Sequence, residues 1–171
     1  MMSVSQAITY KRAVRQFNDN PLPKEVVHAI LNAGRRSQSS KNTQPWGFIA
    51  IQDKEILQAL SELGTYAGHL AGAALGVAIV TEPPDKKLSI LFDAGQAAAY
   101  MQLAGWELGV VSCLATIYEP DAARKLLGFP SDLFLHIALS FGYPLHQDVM
   151  NAPPVKGGRK PFDEVVHWEQ W

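Results

Sequence analysis

The chain has 171 residues, enough for one domain with a buried core and too few for two of ordinary size. Hydrophobic residues make up 47% against 18% charged, an excess that points to a large subunit interface. Fifteen Lys and Arg against sixteen Asp and Glu leave a net charge of −1, which excludes a global field that would recruit nucleic acid.

Residues 4–15 predict a short helix ending near Gln16, with Ser3 or Ser5 as its cap. On such a helix Lys11 and Arg15 are neighbours on one face and Arg12 flanks them. The segment has no acid before Asp19, yet it lacks an apolar stretch and a small-residue cleavage site, so no secretory signal is expected. Asn18-Asp19-Asn20-Pro21 reads as a turn. Pro23 opens a helix through Arg35, with Val26, Val27, Ile30, Leu31 and Ala33 at helical spacing. After Ser39-Ser40-Lys41-Asn42-Thr43-Gln44-Pro45, residues 46–52 predict a strand that starts from a core Trp46. Asp53 caps a helix to about Leu63, with Ile56, Leu57, Leu60 and Leu63 on one face. Residues 64–74 are expected to form a loop with a short helix, and residues 75–81 a buried strand closed by Pro83-Pro84.

Asp85 is expected to begin the longest helix, to about Leu108, with Gly109 as its C-cap. Its small residues (Ala94, Gly95, Ala97, Ala98, Ala99, Ala104, Gly105) suit close packing, including against a symmetry mate. Asp93, Gln96, Gln102 and Glu107 interrupt its apolar run and argue against a membrane span. Residues 110–116 predict a buried strand. Its Cys113 is the lone cysteine of the chain, which excludes an intramolecular disulfide, fits a reducing cytoplasm and reads as a core residue. Residues 120–127 predict a helix ending at Gly128, and residues 133–141 a strand in which His136 is expected to be a hydrogen-bonded core residue. The Pro- and Gly-rich stretch 151–160 cannot form a core of its own.

The tail, residues 162–171, then brings Phe162, Val165, Val166, Trp168 and Trp171, too large an apolar set to leave in water. It reads as an arm exchanged onto a partner subunit, a strand within the same chain being the alternative. The whole pattern is an α+β layer fold, helices flanking a mainly antiparallel sheet, in a single domain over residues 1–171 with residues 151–171 as an extended arm.

Two cationic clusters lie at opposite ends of the chain: Lys11, Arg12 and Arg15, and Lys156, Arg159 and Lys160. They could converge on one phosphate, for which Arg supplies bidentate donors. Ser39, Ser40, Asn42 and Gln44 offer hydroxyls and amides to the polar edge of a heterocycle, although a plain helix-to-strand loop needs the same residue types. The histidines (28, 69, 136, 146, 167) are scattered without ligand spacing, so no metal site is expected. No Gly-rich phosphate loop and no nucleophile elbow occurs.

Lys11-Arg12-Ala13-Val14-Arg15-Gln16-Phe17 resembles the Arg-Arg-Ser-x-Arg-x-Phe signature of the nitroreductase family, and Gln38-Ser39-Ser40-Lys41-Asn42-Thr43-Gln44-Pro45-Trp46 its Pro-Ser-x-x-Asn-x-Gln-Pro-Trp signature. The long helix before Leu108-Gly109, then Leu127-Gly128-Phe129-Pro130, Phe141-Gly142-Tyr143-Pro144 and Arg159-Lys160-Pro161-Phe162-Asp163-Glu164-Val165-Val166, follow in the family's order, so the likeness spans the chain. The resemblance implies a nitroreductase-like fold, an intertwined homodimer with an exchanged C-terminal arm, and flavin mononucleotide (FMN) as cofactor. Lys11, Arg12 and Arg159 would hold the FMN phosphate, and Arg15 would face the N1–O2 edge of the ring. Ser39, Ser40 and Asn42 would reach the same flavin from the other subunit, and the backbone of Cys113, Leu114 and Ala115 would approach N5.

The implied activity passes a hydride from NADH or NADPH through FMN to a nitroaromatic, quinone or similar flat acceptor by ping-pong turnover. No protein acid or base stands out, as suits chemistry carried by a cofactor. The alternatives are the same fold and cofactor with reductive dehalogenation or flavin fragmentation, or a flavin-binding protein without catalysis. The chain departs from the family pattern at Lys11 for an Arg, at Ala13 for the Ser whose hydroxyl binds phosphate, and at Gln38 for a Pro.

Overall fold

The computed structural model describes residues 2–85, 87–151 and 158–171. The first helix, α1 (Val4–Tyr10), is shorter than the sequence suggested. Its start is the capping box that Ser3 predicts: the Ser3 hydroxyl accepts from the Gln6 N–H while the Gln6 side chain accepts from the Ser3 N–H. Its end is decided by tertiary pairing. From Lys11 the chain is extended, with Val14 N–H donating to the Ser112 carbonyl at 3.0 Å and Phe17 bridging Pro144. Lys11, Arg12 and Arg15 therefore do not share a helical face, and that expectation is corrected: their side chains alternate along an extended segment.

α2 (Lys24–Arg35) opens after Pro23, and α3 (Lys54–Ser61) is capped by Asp53, whose carboxylate accepts from Glu55 and Ile56 N–H. α4 runs Ser89–Glu107, starting one turn later than Asp85. Its expected C-terminal glycine is borne out: Gly109 takes φ +76, which a side chain would resist. α5 (Pro120–Leu127) ends at a left-handed Gly128, and α6 (Phe162–Val165) is a single turn.

Four strands, β1 (Trp46–Ile51), β2 (Leu75–Thr81), β3 (Val111–Thr116) and β4 (Phe134–Gly142), form one sheet in the order β1-β2-β4-β3, every pair antiparallel. The sheet has two faces, and helices pack against each, while Leu114 and Thr116 of the edge strand β3 stay exposed. Leu57, Leu60, Leu70, Ala78, Leu135 and Ala138 pack on the α3–α5 side, and Ile30, Val77, Ile79, Met101, Leu139 and Phe141 on the α2–α4 side. β2 is buried along its whole length, as its run of small and β-branched residues requires. Where β2 meets β4 the register shifts between Ile79 and Val80, leaving His136 outside the pairing. No helix among the described residues is long and apolar enough to cross a membrane.

Candidate active site

The extended segment 11–15 lies beside β3, and Ser112 holds it there. The Lys11 ammonium donates to Gln102 Oε1 on α4 at 2.9 Å, and Gln102 Nε2 donates to Ser112 Oγ at 3.2 Å. The Ser112 carbonyl in turn accepts from Val14. Gln102 and Ser112 are both buried, so this polar chain is shielded from water. Arg12 donates through Nη2 to the Val149 carbonyl at 2.6 Å. Burial, with the charge of Arg159 added to it, pulls the Lys11 pKa below the usual lysine range. A residue near the C-terminus therefore stands within electrostatic reach of one near the N-terminus. Lys156, of the same C-terminal cluster, lies outside the described residues, and Lys160 instead pairs with Glu164 at 2.8 Å. Among the described residues no ion pair engages Lys11, Arg15 or Arg159.

The edge strand β3 carries Leu114 outward, 43% exposed, between buried Cys113 and Ala115. Burial raises the Cys113 thiol pKa, with Arg15 and Lys11 opposing it, so the core-residue reading of this cysteine holds. Behind it His69 Nδ1 sits 2.7 Å from Ser140 Oγ, whose hydroxyl donates to the Cys113 carbonyl at 3.3 Å. His69 Nε2 finds no hydrogen-bond partner among the described residues. Burial lowers the His69 pKa, and the Arg15 charge lowers it further. Burial likewise lowers the His136 pKa. The sequence expectation for His136 is corrected: it lies on the β4 irregularity, half-buried against Phe134, and its Nε2 also lacks a partner among the described residues.

These two histidines make a pH prediction. Each is neutral when folded at a pH where the unfolded chain, with pKa near 6.5, takes up a proton. The unfolded state then binds more protons, so stability should fall as pH drops below 6.5 and level off once the folded-state values are passed. Melting temperatures between pH 7.5 and 5.5 should show that slope, shallower in His69→Gln. Equal slopes in the two proteins would refute the assignment to His69.

The other group of candidate residues sits on the loop before β1. Its backbone is unusual: Lys41 and Asn42 within the 3-10 turn Ser40–Asn42, and Gln44 just after it, have φ of 51, 55 and 48, all left-handed. Three such residues in so short a span persist only where the surroundings over-determine them. Two contacts do so here. Ser39 Oγ accepts from Gln44 N–H at 2.9 Å, and Ser40 N–H points at the carboxylate of Asp93, 3.2 Å from each oxygen. Asp93 is buried on α4 and anchors the turn, while the Ser40 and Asn42 side chains stand in solvent.

Within one chain the fold thus gathers Lys11, Arg15, Cys113, Leu114, Ala115 and Arg159 around β3, keeps Arg12 and Ala13 on the adjoining segment, and mounts Ser39, Ser40 and Asn42 on a separate support. Sequence reading missed the supports themselves: Asp93, Gln102, Ser112, Ser140 and His69. A signal for two of them was present, since Asp93 and Gln102 are polar interruptions in an otherwise apolar helix, where a buried polar group needs a partner.

An α+β layer protein with a cationic segment pinned to an edge strand and a strained polar loop before its first strand defines the class. The Nitroreductase family model matches residues 8–67 and 63–143, and the chain belongs to the nitroreductase family. A protein of Archaeoglobus fulgidus assigned as an NADH dehydrogenase/NAD(P)H nitroreductase is 30% identical over 78% of this chain and 81% of its own length. An FMN-dependent nitroreductase from Clostridium difficile shares the fold with a TM-score of 0.83 and 27% identity, covering 98% of this chain and all of that one. NfrA2 of Bacillus megaterium superimposes with a TM-score of 0.87 at 23% identity over 98% of this chain and 74% of that one.

Proposed function

We propose that this chain is an FMN-dependent NAD(P)H oxidoreductase whose homodimer works by ping-pong turnover, with a flat acceptor such as a nitroaromatic or quinone taking the place of the spent nicotinamide. The observation that carries the reading is that Lys11 and Arg159 stand within electrostatic reach of each other, with no carboxylate paired to either among the described residues. Half-buried ammonium without a carboxylate partner has its pKa depressed, and an arriving phosphate dianion relieves that cost. The donor set fits FMN: cations for the phosphate, the exposed stretch of β3 at Leu114 for the ring, and hydroxyl and amide groups of residues 39–42 for its polar edge. Bound there, FMN would supply the two-electron chemistry that links nicotinamide to acceptor.

The residues of the chain have defined tasks in this scheme. Lys11, Arg12 and Arg159 bind the phosphate. Arg15, exposed at the edge of β3, places a fixed positive charge where negative charge develops on the N1–O2 side of the ring, and a preorganised charge needs no reorganisation at the moment of reaction. The Cys113–Ala115 backbone positions the ring face, while Ser39, Ser40 and Asn42 orient its pyrimidine edge.

The supports of the two half-sites argue that the edge loop serves a neighbouring subunit. Asp93 and Gln102 are nine residues apart on α4, so they project from opposite sides of the helix, about 13 Å apart along its axis. One chain therefore holds its two half-sites turned away from each other. The outer surface fits a subunit contact: Val4, Ile8, Leu91, Phe92 and Tyr100 are exposed, and a groove of about 450 Å³ lies between α1 and α4. A single domain over residues 1–171, with residues 151–171 as the exchanged arm in a cytoplasmic dimer, completes the proposal.

The test is reconstitution. The purified protein should bind one FMN per chain and show flavin absorbance. Anaerobic addition of NADH or NADPH should bleach that absorbance, and a nitroaromatic or quinone should restore it. A protein that gains no flavin absorbance, or whose bound FMN neither nicotinamide bleaches, would overturn the proposal.

A further inference from the structure

The segment that carries the cations is tied to one buried residue, directly at Val14 and through Gln102 at Lys11. Ser112 accepts from Val14 through its carbonyl and from Gln102 through its hydroxyl, and Gln102 holds the Lys11 ammonium. The four residues close a loop of contacts around Arg12 and Ala13. Lysine is a compact charge on a flexible stem, and where an arginine would fix its own fork, a lysine needs an external support to point one way. Gln102 supplies it from the rigid interior of α4. Its amide is also neutral: it takes one of the three ammonium N–H groups and leaves two, without cancelling the charge. A carboxylate in that place would occupy the same geometry and neutralise the site.

Building on the FMN reading above, we infer that Gln102 is a positioning residue that, backed by Ser112, aims Lys11 at the phosphate and so sets the preference of the site for FMN over unphosphorylated riboflavin. The device meets the local departure in sequence, lysine where the family signature has arginine, with a partner from a distant helix. Neither Gln102 nor Ser112 touches the flavin in this arrangement. Their whole effect passes through Lys11.

The measurement is the dissociation constant of FMN and of riboflavin, by flavin fluorescence at fixed ionic strength, for the wild-type protein and Gln102→Leu, Gln102→Glu and Lys11→Met variants. Gln102→Leu removes the hydrogen bond to a charged group and should weaken FMN roughly tenfold while moving riboflavin less than about twofold. Gln102→Glu should also lower the FMN-to-riboflavin preference, by neutralising Lys11. In a Lys11→Met background the Gln102→Leu change should have no further effect on FMN. If Gln102→Leu weakens both flavins alike, or acts as strongly without Lys11, its role is only structural and the inference is overturned. A Gln102→Leu protein that fails to fold leaves the decision to Gln102→Glu, in which an unchanged preference would overturn the inference equally. A wild-type protein that binds neither flavin would overturn the underlying FMN reading, and this inference with it.

Discussion

Removing residues 162–171 should dissociate the proposed dimer and release FMN in the same step. In the single chain Phe162 is 63% exposed, Val165 54%, Trp168 75% and Trp171 fully exposed, with only a one-turn helix to organise them. Such side chains gain about 1.5–3 kcal/mol each when buried, and two arms per dimer double the gain. Part of it is offset by ordering the arm. What is left still exceeds the stability of a typical weak contact, so truncation should convert dimer to monomer at micromolar concentration. Sedimentation velocity would follow the mass while absorbance follows the flavin. Mixing Arg15→Ala chains with Asn42→Ala chains gives the complementary result: heterodimers should regain a fraction of intact sites, because one of the two then draws only on unaltered groups. A truncated protein that remains a flavin-loaded dimer would refute the arm exchange, and a stable flavin-loaded monomer would refute the composite site.

The largest loss of stability is expected from Phe141→Ala. Phe141 is fully buried on the α4 side of the sheet, paired with Leu75 on one side and Ser112 on the other. Gly105 lets α4 come close at this point: a Cβ there would meet the Phe141 ring at 3.4 Å. Truncation leaves a void that the closely packed helix and sheet cannot collapse to fill, at about 3–5 kcal/mol. For a domain of this size that lowers the melting temperature by roughly 6–20 °C. The void would open one turn from Gln102 and beside Ser112, so FMN affinity should fall with it. Leu114→Ala is the control, since a side chain 43% exposed should cost under about 1 kcal/mol. Calorimetry on both proteins decides the matter. Equal melting temperatures would show that the α4–sheet contact does not carry the core.

What the sequence alone determined is whatever local chemistry dictates. Asp53 before a helical run, Pro23 ahead of α2, Gly109 and Gly128 after α4 and α5, and the apolar run of β2 each act over a turn or less, and the boundaries they mark lie within a residue or two of their expected places, whereas the start of α4, which no such signal marks, comes one turn late. The signature residues were legible for a related reason: Lys11, Arg12 and Arg15, and Ser39, Ser40 and Asn42, stand together in short runs of unusual composition.

Other features were settled only by contacts between distant segments. Nothing within residues 4–15 shows that the helix must stop at Tyr10. It stops because Val14 pairs with Ser112, and a backbone N–H bonded to a neighbouring strand cannot also serve the helix. Pattern alone did not reveal that Gln102 would hold Lys11 and Asp93 would hold Ser40. Those partners are selected in space by a helix that holds the two segments from opposite sides. The sequence named the groups that could meet a phosphate and a ring, and the tertiary structure decided which way they point, because direction comes from buried partners far away along the chain.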